Sequence, residues 1–235
     1  MPPCWTDRLR DGLAAAWPIC LGYFPIGMAL GVLARQAGLS HIDIGLMSLL
    51  VFAGSAQFIA VAMLASGSAP LAIIATTFVV NFRHVLMSSA LSVHLRGVAR
   101  SFLVLFAYGV TDESFAVNTV RFKTGGWDRW RALVVHQTAN GTWILSSMAG
   151  ALLGGLIPSG AFGIDFALPA MFIALIVLQI ECFLQVIVGL IAACVSVSCY
   201  LLMPGDSYAL VAAVVAASFG FVLRRSTAKE GGGNP

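Results

Sequence analysis

TTFVVNFRHVLMS, residues 76–88, sets Arg83 and His84 in the middle of an otherwise apolar run. The run extends from Leu71 to Leu91, about the length of the roughly 20 residues that a helix needs to cross a bilayer. A charged side chain at that depth costs at least ~2.5 kcal/mol, and it faces protein or a water-filled cavity instead of lipid. Arg83 therefore predicts a polar partner or a functional role inside a helical membrane protein.

The composition of the whole chain supports a membrane protein. Of the 235 residues, 59% are hydrophobic and 10% are charged, and the mean hydropathy is +0.93, whereas a soluble domain carries about 25% charged residues. In lipid, only helical bundles and closed barrels satisfy their own backbone hydrogen bonds. The apolar runs lack the alternation of barrel strands. The predicted fold class is therefore an all-α integral membrane protein.

Several functional classes are disfavoured by the same composition. A net charge of +3 with scattered basic residues gives no support to nucleic-acid binding. The five cysteines form no CxxC pair, which argues against a disulfide framework or a metal site. None of the common hydrolase, nucleotide-binding or dinucleotide-binding motifs occurs. We predict no cofactor and no metal, and an enzyme is the weakest functional class.

The apolar runs predict a polytopic bundle of seven or eight transmembrane segments. Spans are expected at residues 13–34, 42–65, 71–91, 102–120 and 133–157, with one or two more in 167–203 and a last one at 207–223. The region 167–203 is either two spans divided near Glu181 or one long tilted helix. One transporter domain, residues 13–223, is thus expected between a cytoplasmic N-terminus (1–12) and a short disordered cytoplasmic tail (224–235).

The basic residues predict an orientation. With eight spans and a cytoplasmic N-terminus, nine lysines and arginines fall inside and three fall outside, as the positive-inside rule requires. The three outside would be Arg35, Arg96 and Arg100, although a re-entrant second or third segment would move the last two inside. His136 follows the basic loop of residues 121–131, so we predict that it is an interfacial group.

The first span contains the strongest helix-breaking pattern. Pro18 and Pro25 both interrupt it, and GYFPIG, residues 22–27, predicts at least one broken or kinked helix. Interrupted helices often mark the binding sites of transporters. A kink that only serves helix packing is an equally good interpretation.

Polar residues line one face of the third span. Thr77, Asn81, His84, Ser88 and Ser92 recur at helical spacing, so this face is expected to look into the bundle. In the second span, Ser55 and Gln57 lie at the centre. Gln57 either lines a site or holds neighbouring helices together.

Asp112 and Glu113 lie in the middle of the fourth span, where they are as costly as Arg83. We predict that Arg83 is their partner. With all three ionised the group carries a net charge of −1, which makes one carboxylate a candidate to hold a proton. The alternative is a buried ion pair that only fixes two helices.

Taken in order, these motifs resemble the AzlC-type branched-chain amino-acid exporter family. They are GYFPIGMALG at 22–31, GSAQF at 54–58, NFRH at 81–84, TDE at 111–113, and the pair Asp165–Phe166. The resemblance implies a multi-pass plasma-membrane permease subunit that exports valine, leucine or isoleucine, and sometimes methionine or analogues. It also implies pairing with a small AzlD-type membrane subunit.

The hypothesis is a secondary exporter of hydrophobic amino acids, coupled to the proton gradient. A zwitterionic substrate needs a cation for its carboxylate, an anion for its ammonium group and an apolar pocket. The predicted substrate-binding residues are Arg83, Asn81, Gln57, Tyr23, Pro25 and Ser55. Those predicted to hold the ammonium group or the coupling proton are Asp112, Glu113 and His84. A channel and a non-transporting scaffold, in which the charges only fix helices, are the alternatives.

Overall fold

The computed structural model describes residues 4–154 and 183–202, and the isolated positions 166, 173, 177, 215, 218 and 220. The chain divides into two compact units, one of residues 1–67 and 77–169 and the other of residues 68–76 and 170–235. Outside the described residues lie Asp165 of the Asp165–Phe166 motif, the Glu181 break, all but three positions of the span at 207–223, and the tail.

The described residues form α-helices and no strand, which confirms the all-α class for this part of the chain. The helices are α1 (Trp5–Gln36), α2 (His41–Leu50), α3 (Gly54–Ala65), α4 (Pro70–Leu91), α5 (Arg100–Tyr108), α6 (Asp112–Thr124), α7 (Arg129–Leu153) and α8 (Phe183–Leu202), with a 3-10 turn at Ser92–His94. Of these, α1 and α4 with its 3-10 turn are long and apolar enough to cross a bilayer. In the second unit, α8 occupies the latter half of the 167–203 region, so whether that region contains one span or two stays a prediction.

Helix α1 is continuous through Pro18 and Pro25, so the helix is not broken at 22–27, and a kink there stays a prediction. The helix packs along its length against α7, where small residues let the backbones approach. A Cβ at Gly150 would collide with the Met28 carbonyl, and one at Gly31 would collide with the Ser147 carbonyl. This close packing supports the helix where proline removes a hydrogen bond.

Helices α1 and α7 run parallel. Ion pairs join their first turns, with Arg8 Nε 2.8 Å from Asp128 Oδ2 and Arg131 Nε 2.9 Å from Asp11 Oδ2. At the other end, Gly154 lies against Val32 and Arg35. Residues 37–128 must therefore return the chain to the end at which α1 begins.

The run predicted as the second span folds back on itself as a hairpin of α2 and α3. The Gln57 amide donates to Ser48 Oγ at 3.3 Å, although nine residues of continuous helix would separate them by about 13 Å. Ala65, at the end of α3, lines one cavity with Gln36 and Ala37, at the end of α1. This hairpin, residues 41–65, therefore begins and ends at the same end of α1 and replaces the predicted crossing.

The cause of this hairpin is a backbone reversal at residues 51–53. Phe52 has a φ of 38°, an uncommon conformation for a bulky side chain. Its ring is buried and lies edge-on to Tyr23, 6.4 Å away. Packing of this ring offsets the strain of the backbone at Phe52. A hydropathy profile contains no information about such packing.

The run predicted as the fourth span is a second hairpin, formed by α5 and α6 at residues 100–124. Thr111 caps α6 in a reciprocal capping box with Ser114, which begins a new helix after the break at 109–111. The His94 ring, just before α5, stacks on Phe122 near the end of α6 with ring centroids 4.4 Å apart. Both ends of this hairpin lie where α1 and α7 begin.

The two hairpins enter the unit from opposite ends, and their tips meet. The Tyr108 hydroxyl donates to the Leu49 carbonyl, and the rings of Tyr108 and Phe52 are 6.2 Å apart. A long helix followed by a hairpin thus occurs twice, first as α1 with residues 41–65 and then, inverted, as α4 with residues 100–124. Inverted repeats of this kind recur in secondary transporters.

We name one end of this unit the basic end: the start of α1, residues 92–100, the end of α6 and the start of α7. Eight of the ten lysines and arginines in residues 4–154 lie there, namely Arg8, Arg10, Arg96, Arg100, Arg121, Lys123, Arg129 and Arg131. Arg96 and Arg100 were predicted on the side opposite the N-terminus. The hairpin at residues 41–65 places them at the same end as the N-terminus, as expected for a re-entrant second segment.

Candidate functional site

Arg83 on α4 connects the tips of the two hairpins. Its Nη1 lies 2.8 Å from Asp112 Oδ2, so the predicted ion pair is present, and its Nη2 donates to Ser55 Oγ. The Arg83 and Asp112 side chains are 31% and 28% exposed. The pair is therefore reachable by a ligand without being fully hydrated.

Tyr23 on α1 holds the second carboxylate of the acidic pair. Its hydroxyl donates to Glu113 Oε2 at 2.6 Å and lies 2.8 Å from Thr111 Oγ1. The ring is buried and lies edge-on to Trp143, 5.2 Å away. Tyr23, Ser55, Arg83, Asp112 and Glu113 thus form one connected group, which we call the central cluster.

Two helix N-termini belong to the central cluster, and they differ in charge. Asp112 and Glu113 lie in the first turn of α6, where the helix dipole stabilises negative charge. The first turn of α3 contains Ser55, carries no acidic residue and has no side-chain cap. An uncapped N-terminus beside an arginine suits an added anion such as a carboxylate.

Two buried polar atoms on α4 have no hydrogen-bond partner among the described residues. They are Arg83 Nε and Asn81 Oδ1, one donor and one acceptor. An unsatisfied buried group costs roughly 1–3 kcal/mol. His84 has a partner for one ring nitrogen, since its Nδ1 lies 3.0 Å from the backbone carbonyl of Asn81.

Two predicted site residues lie away from the central cluster. Gln57 is buried and joins both arms of its hairpin to α7, since its amide donates to Ser48 and accepts from Trp143 Nε1 at 2.9 Å. Its position supports the interpretation that it holds neighbouring helices together. Pro25 is exposed within continuous α1, so the unwound backbone predicted there is not present.

A buried chain of hydrogen bonds runs from the central cluster to the basic end, and sequence reasoning missed it. Its members are Thr111, Ser114, His136, Asn118 and Trp127. His136 was predicted to be interfacial, but its side chain is fully buried. It lies about 10 Å along α7 from Arg129, two turns inside the helix. The spacing of His136, Asn140, Trp143 and Ser147 was the available signal.

The chemistry of this chain fixes the tautomer of His136. Trp127 Nε1 can only donate, so the Asn118 oxygen faces it at 2.9 Å, and the Asn118 amide nitrogen faces His136 Nε2 at 3.5 Å. His136 Nε2 therefore accepts, and Nδ1 carries the proton that it donates to Ser114 Oγ at 3.0 Å. A neutral His136 thus supports Ser114, the partner of Thr111 in the capping box at the start of α6, where Asp112 and Glu113 lie.

The central cluster combines one cation, two carboxylates and an uncapped helix N-terminus. With every group ionised its net charge is −1, from Arg83 against Asp112 and Glu113. Such an arrangement can bind the carboxylate and the ammonium group of a zwitterion at the same time. Among the described residues, no group of three or more histidines, cysteines or carboxylates could hold a metal ion.

Known proteins match the part of the chain that contains this cluster. A family described as AzlC protein matches residues 18–157. The inner membrane protein YgaZ of Escherichia coli K12 is 28% identical over 203 residues, which are 81% of this chain and 83% of that protein. The branched-chain amino acid transport protein AzlC of Bacillus subtilis 168 is 28% identical over 171 residues, 72% of this chain and 67% of that protein.

A further relative comes from an archaeon. An uncharacterized membrane protein of Archaeoglobus fulgidus is 40% identical over 113 residues, 48% of this chain and 49% of that protein. No solved structure matches the chain. The relatives thus carry names of membrane and transport proteins, and the family match contains every residue of the central cluster.

Proposed function

This chain belongs to the AzlC protein family and is a membrane protein, and on that premise we propose that it is the large subunit of a secondary exporter of branched-chain or other hydrophobic amino acids. Valine, leucine and isoleucine are the expected substrates, with methionine and analogues as further ones, and the proton gradient drives export. One observation carries the proposal: Arg83 lies beside the first turn of α3 and beside Asp112 in the first turn of α6. Transporters use the first turns of interrupted helices to bind charged substrate groups.

The substrate carboxylate binds Arg83. Three features support this assignment: the buried Arg83 Nε, which has no partner among the described residues, the Ser55 hydroxyl beside the guanidinium, and the first turn of α3 without a side-chain cap. Together they form an anion site in which Asp112 occupies one edge of the guanidinium. Substrate binding shifts Arg83 from Asp112 toward the incoming carboxylate.

The substrate ammonium group binds Asp112, which is freed when Arg83 takes the substrate carboxylate. The buried Asn81 Oδ1 supplies a neutral acceptor nearby on α4. Glu113, held by the Tyr23 hydroxyl, is then the carboxylate assigned to the coupling proton. His84 is the alternative proton carrier, although its contact with the Asn81 carbonyl makes it the weaker one.

The chain spans the plasma or inner membrane several times with its N-terminus in the cytoplasm. The charge distribution supports this orientation, because eight lysines and arginines lie at the basic end and Arg35 alone lies at the other end within residues 4–154. The partner is a small AzlD-type membrane subunit. A reading frame for such a protein beside that of this chain would support the pairing.

Efflux from cells tests the proposal. Cells that lack other branched-chain exporters are loaded with a valine-containing dipeptide, and valine release is followed for wild type, Arg83→Ala and Asp112→Asn. We expect both variants to release valine at least about tenfold more slowly, since each removes a charge-assisted contact of roughly 1.5–3 kcal/mol. Arg100→Ala, at an exposed position of the basic end, is the matched control and should export normally.

The alternatives give different results in the same cells. If Arg83→Ala reaches the membrane in normal amount and exports at the wild-type rate, the site assignment is wrong. The double variant Arg83→Leu with Asp112→Leu replaces the whole ion pair and can leave folding intact. Retained export in that variant would indicate that the charges only fix helices, and release that never saturates with internal valine would indicate a channel.

A further inference from the structure

A cavity of about 480 Å³ opens at the basic end, far along the buried chain from the central cluster. Its volume lies in the roughly 300–1,000 Å³ range of small-ligand sites. Charged and aromatic side chains dominate its lining, among them Arg8, Arg96, Trp127, Asp128, Arg129 and Trp130. The proposed transport role of the central cluster assigns no function to this cavity.

The charges that line this cavity do not cancel. Asp128 is paired with Arg8 at 2.8 Å and also contacts Arg131. Arg96 and Arg129 make no ion pair and no hydrogen bond with any described residue. Three arginines and one aspartate leave the lining with a net charge of +2, so the cavity suits an anion.

Arg129 lies against two aromatic rings, and its N–H donors have no partner among the described residues. Its guanidinium carbon lies 5.9 Å from the centre of the Phe102 ring and 5.8 Å from that of Trp130. Contact with aromatic rings uses the face of the guanidinium, whereas the N–H donors along its edge match the oxygen spacing of phosphate. The aromatic residues therefore position a phosphate-binding group instead of neutralising it.

We propose that this basic-end cavity binds a phosphate-bearing anion, with Arg96 and Arg129 as its ligands. Its site among the ends of apolar helices favours the headgroup of an anionic phospholipid as the source. Trp127 and Trp130 fit the headgroup region, where tryptophan is enriched. Basic pockets at helix ends bind such headgroups on the cytoplasmic side. The proposal concerns binding only and does not depend on what the central cluster transports.

The test uses the full-length protein in nanodiscs of phosphatidylcholine, alone or mixed with phosphatidylglycerol. A third arm adds inorganic phosphate to the phosphatidylcholine nanodiscs. Retained lipid is measured by native mass spectrometry, and the thermal unfolding midpoint is measured in each arm. The cavity variant is Arg96→Gln with Arg129→Gln. The control variant is Arg100→Gln with Lys123→Gln, which removes the same charge from exposed positions at the same end outside the cavity.

Phosphatidylglycerol is expected to raise the unfolding midpoint of wild type and of the control variant, but not of the cavity variant. The cavity variant should bind this lipid roughly 25-fold more weakly, at about fivefold for each arginine near the headgroup. An equal response of wild type to inorganic phosphate would support the same cavity with free phosphate as its ligand. The proposal is overturned if neither phosphate source binds, or if the cavity and control variants respond alike.

Discussion

Asp112 and Glu113 are neighbours in the sequence but have partners of different charge. Asp112 lies 2.8 Å from the cationic Arg83, whereas Glu113 accepts from the neutral hydroxyl of Tyr23. Both benefit from the dipole of α6. Because only Asp112 is neutralised by a guanidinium, we propose that an incoming substrate releases Asp112 and that Glu113 exchanges the coupling proton.

A double-mutant cycle between Tyr23 and Glu113 tests this difference. Tyr23→Phe keeps the buried ring but removes the hydroxyl, so we expect a loss of roughly 1–3 kcal/mol in the free energy of unfolding. In the presence of Glu113→Gln the same change should cost less, with a coupling of about 1 kcal/mol. Unfolding of the four proteins in mild detergent measures it, and strictly additive losses would contradict the contact.

Asn118 is expected to contribute strongly to the stability of the protein, although it lies in a short helix. Asn118→Leu would leave the Trp127 N–H without its acceptor and His136 Nε2 without its donor, so we expect a loss of roughly 2 kcal/mol in stability. Thr124→Val is the control, because among the described residues that exposed hydroxyl bonds to the Arg121 carbonyl of its own helix. Equal unfolding midpoints for the two variants would show that the buried chain contributes nothing.

At the scale of helices, the interruptions at 51–53 and 109–111 create the site. Each interruption places a helix N-terminus beside Arg83. The first turn of α3 carries no acidic residue, whereas that of α6 carries Asp112 and Glu113. Polar spacing along α4 and the cost of isolated charges were enough to predict the pairing of Arg83 with Asp112. The interruptions themselves were assigned instead to Pro25, where the helix is continuous.

Hydropathy could not have revealed the hairpins, because a re-entrant pair of short helices and a single membrane-crossing helix have equally apolar sequences. The capping box of Thr111 and Ser114 was the local sign of a new helix, although it consists of ordinary polar residues. The reversal at Phe52 depends on the positions of Tyr23 and Tyr108, which belong to distant parts of the sequence. His136 was misplaced for the same reason, since its partners come from α6.

The parallel packing of α1 and α7 gives a matched pair of glycine substitutions on one helix. Gly150→Ala places a methyl group against the Met28 carbonyl, so we expect a loss of about 1–3 kcal/mol in stability. A Cβ at Gly141 would meet no described residue within 4 Å, so Gly141→Ala should be neutral or stabilising by roughly 0.5–1 kcal/mol. Thermal unfolding of both variants checks the interface, and a tolerated Gly150→Ala would contradict it.

For the molecule as a whole, the hairpins change which loops share a side of the membrane. Residues 92–100, the end of α6 and the start of α7 all lie at the basic end with the N-terminus. A chain with a crossing in place of each hairpin would separate residue 100 from residue 123. The positive-inside rule supports the hairpin arrangement more strongly than the arrangement with crossings. With the hairpins, eight lysines and arginines of residues 4–154 lie at the basic end and one lies at the other end.

Cysteine labelling distinguishes the two arrangements. In a chain with its five native cysteines replaced, Arg100→Cys and Lys123→Cys should react with an impermeant maleimide from the same side, which we expect to be the cytoplasm. Ser66→Cys, beyond the end of α3, should react from the opposite side. Labelling of residues 100 and 123 from opposite sides would exclude the second hairpin.

Valine transport by purified protein bears most directly on the central cluster. The chain and its small partner subunit are reconstituted into proteoliposomes, a pH gradient is imposed, and saturable movement of radiolabelled valine is recorded for wild type, Arg83→Ala and Arg100→Ala. We expect gradient-driven valine transport by wild type and Arg100→Ala, and at least about tenfold less by Arg83→Ala. Transport by Arg83→Ala at the wild-type rate, from liposomes with equal amounts of folded protein, would contradict a substrate site at Arg83.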